Sequence, residues 1–429
     1  MSTDARTFLA GLFHTAVAAA HPAGCLPTHL PPPPARGRLI ILAAGKAAGS
    51  MAEVAERHYL GAGVEPSRLE GLAVARLGYA RPTSHIEMIE AGHPMPDAAG
   101  LGATERVLAF ADGAGAEDLV LVLMSGGASA NWIAPAHGLS LAEKQAVTKA
   151  LLRSGAAIDE MNTVRKHLSR IKGGRLAARA RPAAVVTLAI SDVPGDDPAV
   201  IGSGPTVPDP TTLADARAIV SRYRLDLPQA VTRALQDPAN ESPKAGEAAF
   251  AGATFRLIAR PADAFRAAES EVRAAGYECV LLGDSLQGEA RDVAAAHARL
   301  ALDIKASGRR AVILSGGELT VTLRGEGRGG PNQEYALALA VALGSADGIA
   351  ALVADTDGTD GGSGSSDDPA GAYVDSTTTR RATALGLDPA AFLAKNDSSG
   401  FFTHLGDLVA SGPTFTNVND FRAILVDTA

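Results

Sequence analysis

Six short loops in this 429-residue sequence combine reactive side chains with the backbone freedom that ligand chemistry needs. In "AAGKAAGSM", Lys46 stands between Gly45 and a run of small residues able to open a helix, a setting in which an ammonium group meets phosphate. The spacing is not that of a Walker loop, because Ile40 stands where its first glycine would be. Taken alone, Lys46 reads better as a surface lysine after a strand. In "SGGASAN", the N–H groups of Ser125, Gly126 and Gly127 can form an anion-binding nest, with Asn131 adding a donor or acceptor. The same residues also suit a tight strand-to-helix turn.

The stretch "NTVRKHLSRIKGGRLAARARP" holds seven Arg or Lys residues and no acid. It has no aromatic residue for stacking bases, which argues against nucleic acid. A solvated helix face accounts for part of the charge, and Arg165 and Lys166 are the first candidates to line a small-anion site. "ISDVPGDDP" ends an apolar run in Asp192, suited to metal ligation or general-base work, or to an Asp/Pro/Gly turn. In "LTVTLRGEGRGGPNQE", Gly325, Gly327 and Gly330 match the dinucleotide fingerprint after a strand-like run. Arg328 amid those glycines points instead to bidentate grip on a phosphate or carboxylate. "VADTDGTDGG" offers Asp355, Asp357 and Asp360. As a calcium loop it fails, with Thr359, Asp360 and Ser366 at the fifth, glycine and terminal glutamate positions. A hydrated magnesium near phosphates, or hydrogen bonds to hydroxyls, remain.

These loops need rigid supports, and the sequence offers them. "RLIILAAG", "DLVLVLM", "AAVVTLAIS", "ECVLL", "RAVILS" and "GIAALVAD" are apolar runs without alternation, which predict strands buried on both faces, as in parallel sheets. Alanine-rich stretches such as 139–162 and 260–276 lie between them and predict helices, so the class is α/β. Ligands of such folds bind at the carboxyl ends of the strands, where several of these loops fall. The length predicts two domains, and the polar segment "QDPANESPKAGEA" is the expected boundary. "ILSGG" echoes "LMSGG", placing Gly316 and Gly317 in a second turn of the same kind.

The composition is that of an ordinary globular protein, 46% hydrophobic and 20% charged. Net charge of -8 argues against nucleic acid or an anionic membrane as partner. Two distant cysteines, Cys25 and Cys279, suit a reducing compartment and supply no zinc or iron–sulfur site. No apolar run approaches the ~20 residues of a membrane span. The N-terminal stretch imitates a signal peptide faintly, but Asp4 and His14 favour an amphipathic helix and a cytoplasmic address.

Together the motifs resemble those of the class II glycerate 2-kinases, whose C-terminal half is the MOFRL domain. The matching phrases are "AAGKAAGSM", "GHPMPDAAG", "LMSGGASAN", "NTVRKHLSRIKGGRLA", "SDVPGDDPAVIGSGPTVPD", "LSGGELTVTLRGEGRGGPNQE", "DTDGTDG" and "SGPTFTNVND", in family order over residues 40–420. The resemblance implies a Rossmann-like N-terminal α/β domain (1–240), a MOFRL-type α/β domain (241–429), each with a mainly parallel sheet, and an active site in the cleft between them. It implies ATP-dependent phosphorylation of D-glycerate at its 2-hydroxyl, with Mg2+. Lys46 and Arg328 match positions the family associates with the active site. The expected roles are catalysis by Lys46, Arg328 and Asp192, and nucleotide contacts from Ser125, Gly126, Gly127, Asn131, Gly316, Gly317 and Gly327. Arg165, Lys166 and His93 are expected to bind substrate, and Asp355, Asp357 and Asp360 the metal. The competing expectation is an NAD(P)H-dependent hydroxypyruvate reductase using the Gly325–Gly330 turn, a label relatives have also carried. Self-association is left open.

Overall fold

All six apolar runs form strands. In the computed structural model, which describes residues 3–362 and 364–427, the first sheet contains β1 (Leu39–Gly45), β2 (Leu69–Arg76), β3 (Ile86–Ala91), β4 (Leu119–Met124), β5 (Ala184–Ile190) and β6 (Ala253–Ala259). Their order is β3-β2-β1-β4-β5-β6, and the pairings β1–β2, β2–β3, β1–β4 and β4–β5 are parallel. Every residue of β1 and β4 is buried. Both faces of these strands are therefore covered, which is why the runs do not alternate. The chain goes from β1 outward to β2 and β3, then returns to place β4 on the other side of β1. That reversal of strand order beside β1 is the usual ligand position in doubly wound sheets.

The second sheet contains β7 (Glu278–Leu281), β8 (Ala311–Ser315), β9 (Ile349–Asp355), β10 (Gly371–Asp375), β11 (Leu408–Val409) and β12 (Asp420–Val426), in the order β11-β10-β9-β12-β8-β7. The α/β class holds here too, but the strand directions differ from expectation. β7–β8 is parallel, whereas β8–β12, β12–β9, β9–β10 and β10–β11 are antiparallel. An unbroken apolar run reports burial on both faces and carries no information on direction. The run "LTVTL" forms no strand; only Thr320 makes a bridge, to Glu289.

The chain divides into two compact units, Cys25–Ile258 and a second in which the segment ending at Gly24 joins the chain from Ala259. The polar stretch 236–248 lies inside the first unit instead of ending it. Glu241 accepts from the Leu213 amide (2.9 Å) and lies 3.1 Å from His167 Nε2, while Ser242 Oγ donates to Asp209 (2.9 Å). The helix Thr3–Ala20 belongs to the second unit. Its Leu9, Leu12, Phe13 and Ala16 are buried, Phe13 meets the Phe421 ring at 6.1 Å, and Thr416 Oγ1 donates to Ala20 O at 2.7 Å. Its apolar stripe is a packing face. Among the described residues no single helix is long and apolar enough to cross a membrane.

Candidate active site

At the strand-order reversal, the loops after β1 and β4 are sewn together. The Lys46 amide donates to Gly126 O (2.8 Å), the Ala47 amide to Ser125 Oγ (2.9 Å), and the Ser125 amide to Ala44 O (3.1 Å). Gly45 has φ +115°, and a Cβ there would lie 2.4 Å from Ser125 Oγ, so no other residue fits. Ser125 is fully buried. Its hydroxyl thus serves the backbone that carries Lys46. Gly127, at φ +86°, makes room for the side chains beyond: a Cβ would stand 3.0 Å from His93 Cδ2 and 3.5 Å from Lys46 Cγ. Lys46 and His93, from the loops after β1 and β3, converge on this glycine. Asn131 is buried and directs its amide at Gly92 O (3.4 Å), which braces the His93 loop.

Beside Gly127 lies a cavity of about 260 Å³, lined by His93, Ser129, Lys144, Arg165 and Lys172 among others. The helix Leu141–Ser154 supplies Lys144, and the helix Ile158–His167 supplies Arg165. The expected single helix over 139–162 breaks at Gly155, which is left-handed (φ 71°), and the break turns these two cations toward one space. Lys144 and Lys172 are each only 3% exposed. Lys144 Nζ donates to Arg165 O (2.7 Å) and Leu168 O (3.0 Å); Lys172 Nζ donates to Ser129 O (2.5 Å) and Ser129 Oγ (2.6 Å). Ser129 Oγ lies 2.7 Å from Ser203 Oγ. Burial, and after it the Arg165 charge, pushes the Lys172 ammonium down to about 7. Burial likewise brings Lys144 well below the ordinary lysine range, with Lys172 the next cause, and lowers Arg165.

Of the expected substrate ligands, His93 and Arg165 line this cavity, and Lys166 does not. It is buried against Asp209, Nζ to Oδ1 3.3 Å, on another side of its helix. Asp192 follows β5, half-buried at the same end of the sheet, and is not among the lining residues. Lys144 and Lys172 are the residues that sequence reasoning missed. Lys172 lay within the basic run already singled out. Lys144 had no signal beyond its place in a well-capped helix.

In the second unit the second Ser-Gly-Gly turn has a different task. A Cβ on Gly317 (φ +93°) would lie 2.1 Å from Leu286 N and O, and one on Gly316 would lie 2.5 Å from the Phe265 ring. Their carbonyls accept from the fully buried Arg422, at 2.9 Å for Gly316 and 3.2 Å for Gly317, and Arg422 also pairs with Asp420. These glycines permit close packing and do not form an open nest. Gly325 and Gly327 lie flat on the turn 395–397, where a Cβ would come within 2.5 Å of Lys395 O or Asp397 Cβ. Arg328 is exposed, its backbone held by Asp397 and Ser399.

Behind this loop the helix Pro331–Leu343 begins, and Asp360 caps it. Asp360 Oδ1 accepts from the Asn332 amide (3.0 Å) and Nδ2 (3.2 Å), and Oδ2 from the Gln333 amide (2.8 Å). Burial, with Asp420 adding to it, pushes this carboxyl up to about 7. Asp355 Oδ1 accepts from the Asp357 amide (2.9 Å), and Asp357 Oδ1 from Thr359 N (2.7 Å) and Oγ1 (3.0 Å). The three acids shape consecutive turns and a helix start. Among the described residues no three His, Cys, Asp or Glu side chains gather in a metal-binding group. The expected three-aspartate magnesium site is therefore not assembled.

The first sheet defines a doubly wound α/β protein with a cavity lined by Lys144, Arg165 and Lys172 beside the strand-order reversal. Residues 8–236 match a domain of unknown function, DUF4147, and residues 311–420 match the MOFRL family. The chain is 40% identical to the "D-glycerate 2-kinase" of Thermotoga maritima, over 89% of each chain. It is 49% identical to a protein of Agrobacterium vitis named "Putative hydroxypyruvate reductase", over 99% of this chain and 95% of that one. The crystal structure of a Thermotoga maritima glycerate kinase superposes with a TM-score of 0.85 at 37% identity, covering 99% of both chains. The chain belongs to the glycerate kinase family built from DUF4147 and MOFRL domains.

Proposed function

We propose that this protein transfers a phosphoryl group from ATP to the 2-hydroxyl of D-glycerate, forming 2-phosphoglycerate and ADP, in the cytoplasm. Its relatives carry two names, kinase and reductase, and one observation favours the kinase. A dinucleotide turn needs a vacant helix N-terminus for its pyrophosphate. Behind Gly325–Gly330 that position is taken by the Asp360 carboxylate on the Asn332 and Gln333 amides. A reductase would have to evict a buried side chain to bind its cofactor there.

Phosphoryl transfer asks for positioning and charge neutralisation more than covalent help. Lys46, fixed by the Ser125 and Gly126 contacts, neutralises charge on the transferring phosphoryl group. Arg328, presented on an exposed loop of the second unit, is a second anion ligand, and Asp192 polarises the hydroxyl. ATP enters as its magnesium complex, with the metal carried by the nucleotide phosphates. Purified protein given D-glycerate and MgATP should release ADP and 2-phosphoglycerate, and given hydroxypyruvate with NADH or NADPH should oxidise neither. Lys46→Ala and Arg328→Ala should each collapse kcat; wild-type turnover by both variants sinks the assignment of these two residues.

A further inference from the structure

The cavity beside Gly127 has a charge imbalance that the folded protein leaves uncorrected. Its cationic groups are Lys144, Arg165 and Lys172, with His93 at the edge, and no Asp or Glu is among its lining residues. Arg175, from the next helix, adds to the positive field at Lys144. The neighbouring acids are committed elsewhere: Asp209 to Lys166 and Ser242, and Glu241 to Lys244 and His167. Burying ammonium groups without a counter-charge is costly unless a partner arrives or a proton leaves. Two acceptors already hold each lysine Nζ, the Arg165 and Leu168 carbonyls for Lys144 and the two Ser129 oxygens for Lys172. One tetrahedral position on each nitrogen is left over, and both residues line the cavity.

We propose that this cavity is an oxyanion site that holds the carboxylate end of the hydroxy-acid substrate, with Arg165, Lys144 and Lys172 as its ligands and the bound anion as their missing counter-charge. This rests on the kinase reading for the identity of the anion, though not for its charge. The cavity corresponds to about nine water volumes, room for a three-carbon acid. Because Lys172 is held near neutrality by burial and the Arg165 charge, an arriving anion draws a proton onto it. Binding therefore takes up protons above pH 7 and weakens as pH rises further.

The test is calorimetric titration of the full-length wild-type protein with D-glycerate, inorganic phosphate and glycerol at pH 7.5, in two buffers of different ionisation heat. Both anions should bind with proton uptake, the uncharged glycerol should not bind, and D-glycerate affinity should fall between pH 7 and 9. Phosphate binding alone would give the oxyanion site a phosphate occupant and overturn the carboxylate assignment. Equal binding of glycerol, or anion binding without proton uptake, would overturn the proposal. In turnover assays Arg165→Gln and Lys172→Met should each raise KM for D-glycerate roughly ten- to a hundredfold with KM for ATP unchanged. A rise in KM for ATP instead would assign the cavity to the nucleotide and refute the inference. If the wild type turns over no glycerate, the kinase reading fails, while phosphate titration against Arg165→Gln still decides whether the cavity is an anion site.

Discussion

The two Ser-Gly-Gly turns look alike in sequence and should fail in different ways when each last glycine becomes alanine. Gly127 and Gly317 are both left-handed, at φ +86° and +93°, so either substitution costs about 1–2 kcal/mol in backbone strain. Beyond that the surroundings diverge. An alanine Cβ at 127 meets the His93 ring at 3.0 Å and the Lys46 stem at 3.5 Å, both side chains that can move aside by a few tenths of an ångström. At 317 the Cβ would lie 2.1 Å from main-chain atoms of Leu286, which no rotamer change relieves. Overpacking adds about 1–3 kcal/mol there, for a total near 2–5 kcal/mol against a typical stability of ~5–15 kcal/mol. Gly127→Ala should therefore remain folded with its site displaced, and a displacement near 1 Å costs roughly a hundredfold in rate. Trp132, the single tryptophan and 2% exposed in the first unit, gives a local readout by fluorescence melting, with far-UV circular dichroism reporting the whole chain. Gly127→Ala should shift the Trp132 transition slightly and lower kcat/KM at least tenfold. Gly317→Ala should lower the far-UV transition strongly while the folded fraction keeps its turnover. Wild-type kcat/KM in Gly127→Ala, or wild-type stability in Gly317→Ala, would refute the distinction.

Three further outcomes are expected. Because the folded Asp360 carboxyl sits near 7 and the unfolded one near 4, its contribution is fully present below about pH 4 and lost as pH rises through about 7; Asp360→Asn should flatten that slope in urea melts taken across this range. Arg422→Met removes the cation paired with Asp420 and the donor to two buried carbonyls, and should cost about 3–5 kcal/mol in thermal unfolding. Ser125→Ala removes the acceptor of the Ala47 amide, and should cost about 1–3 kcal/mol by the Trp132 melt together with a fall in kcat.

The strands of the catalytic-side loops were legible because burial on both faces removes alternation, as in "DLVLVLM". β12 was not, since "DFRAIL" carries Arg422 in its middle, and a buried arginine is recognisable only once the Gly316 and Gly317 carbonyls it serves are known. Strand direction in the second sheet was illegible for a related reason, because apolar runs have no polarity. At the site, Lys46, His93, Arg165 and Gly127 could be chosen from residue type and context. The aspartates of "DTDGTDG" could not be sorted, because turn-shaping and ligand-binding use the same residue types, and only the amide donors around Asp357 and Asp360 separate the two. Lys144 was unreadable because its burial depends on where the break at Gly155 points the next helix.

The central position of β12 has a consequence for how the protein is made. Ala311 in β8 pairs with Val426, and Ile349 in β9 with the same residue, so the β7–β8 and β9–β10 pairs are not joined into one sheet until the chain has been synthesised through residue 426. The helix Thr3–Ala20, which is made before the unit Cys25–Ile258, belongs to this late-forming unit. During translation at ~5–20 residues per second, the unit Cys25–Ile258 has all of its strands well before then and can fold on the ribosome. The leading helix meanwhile lacks the Phe421 ring and the Thr416 hydroxyl that cover it in the finished fold. Ribosome-bound chains stalled near residue 300 should therefore hold a protease-resistant core starting after Gly24, with the leading helix open to cleavage and to chaperones.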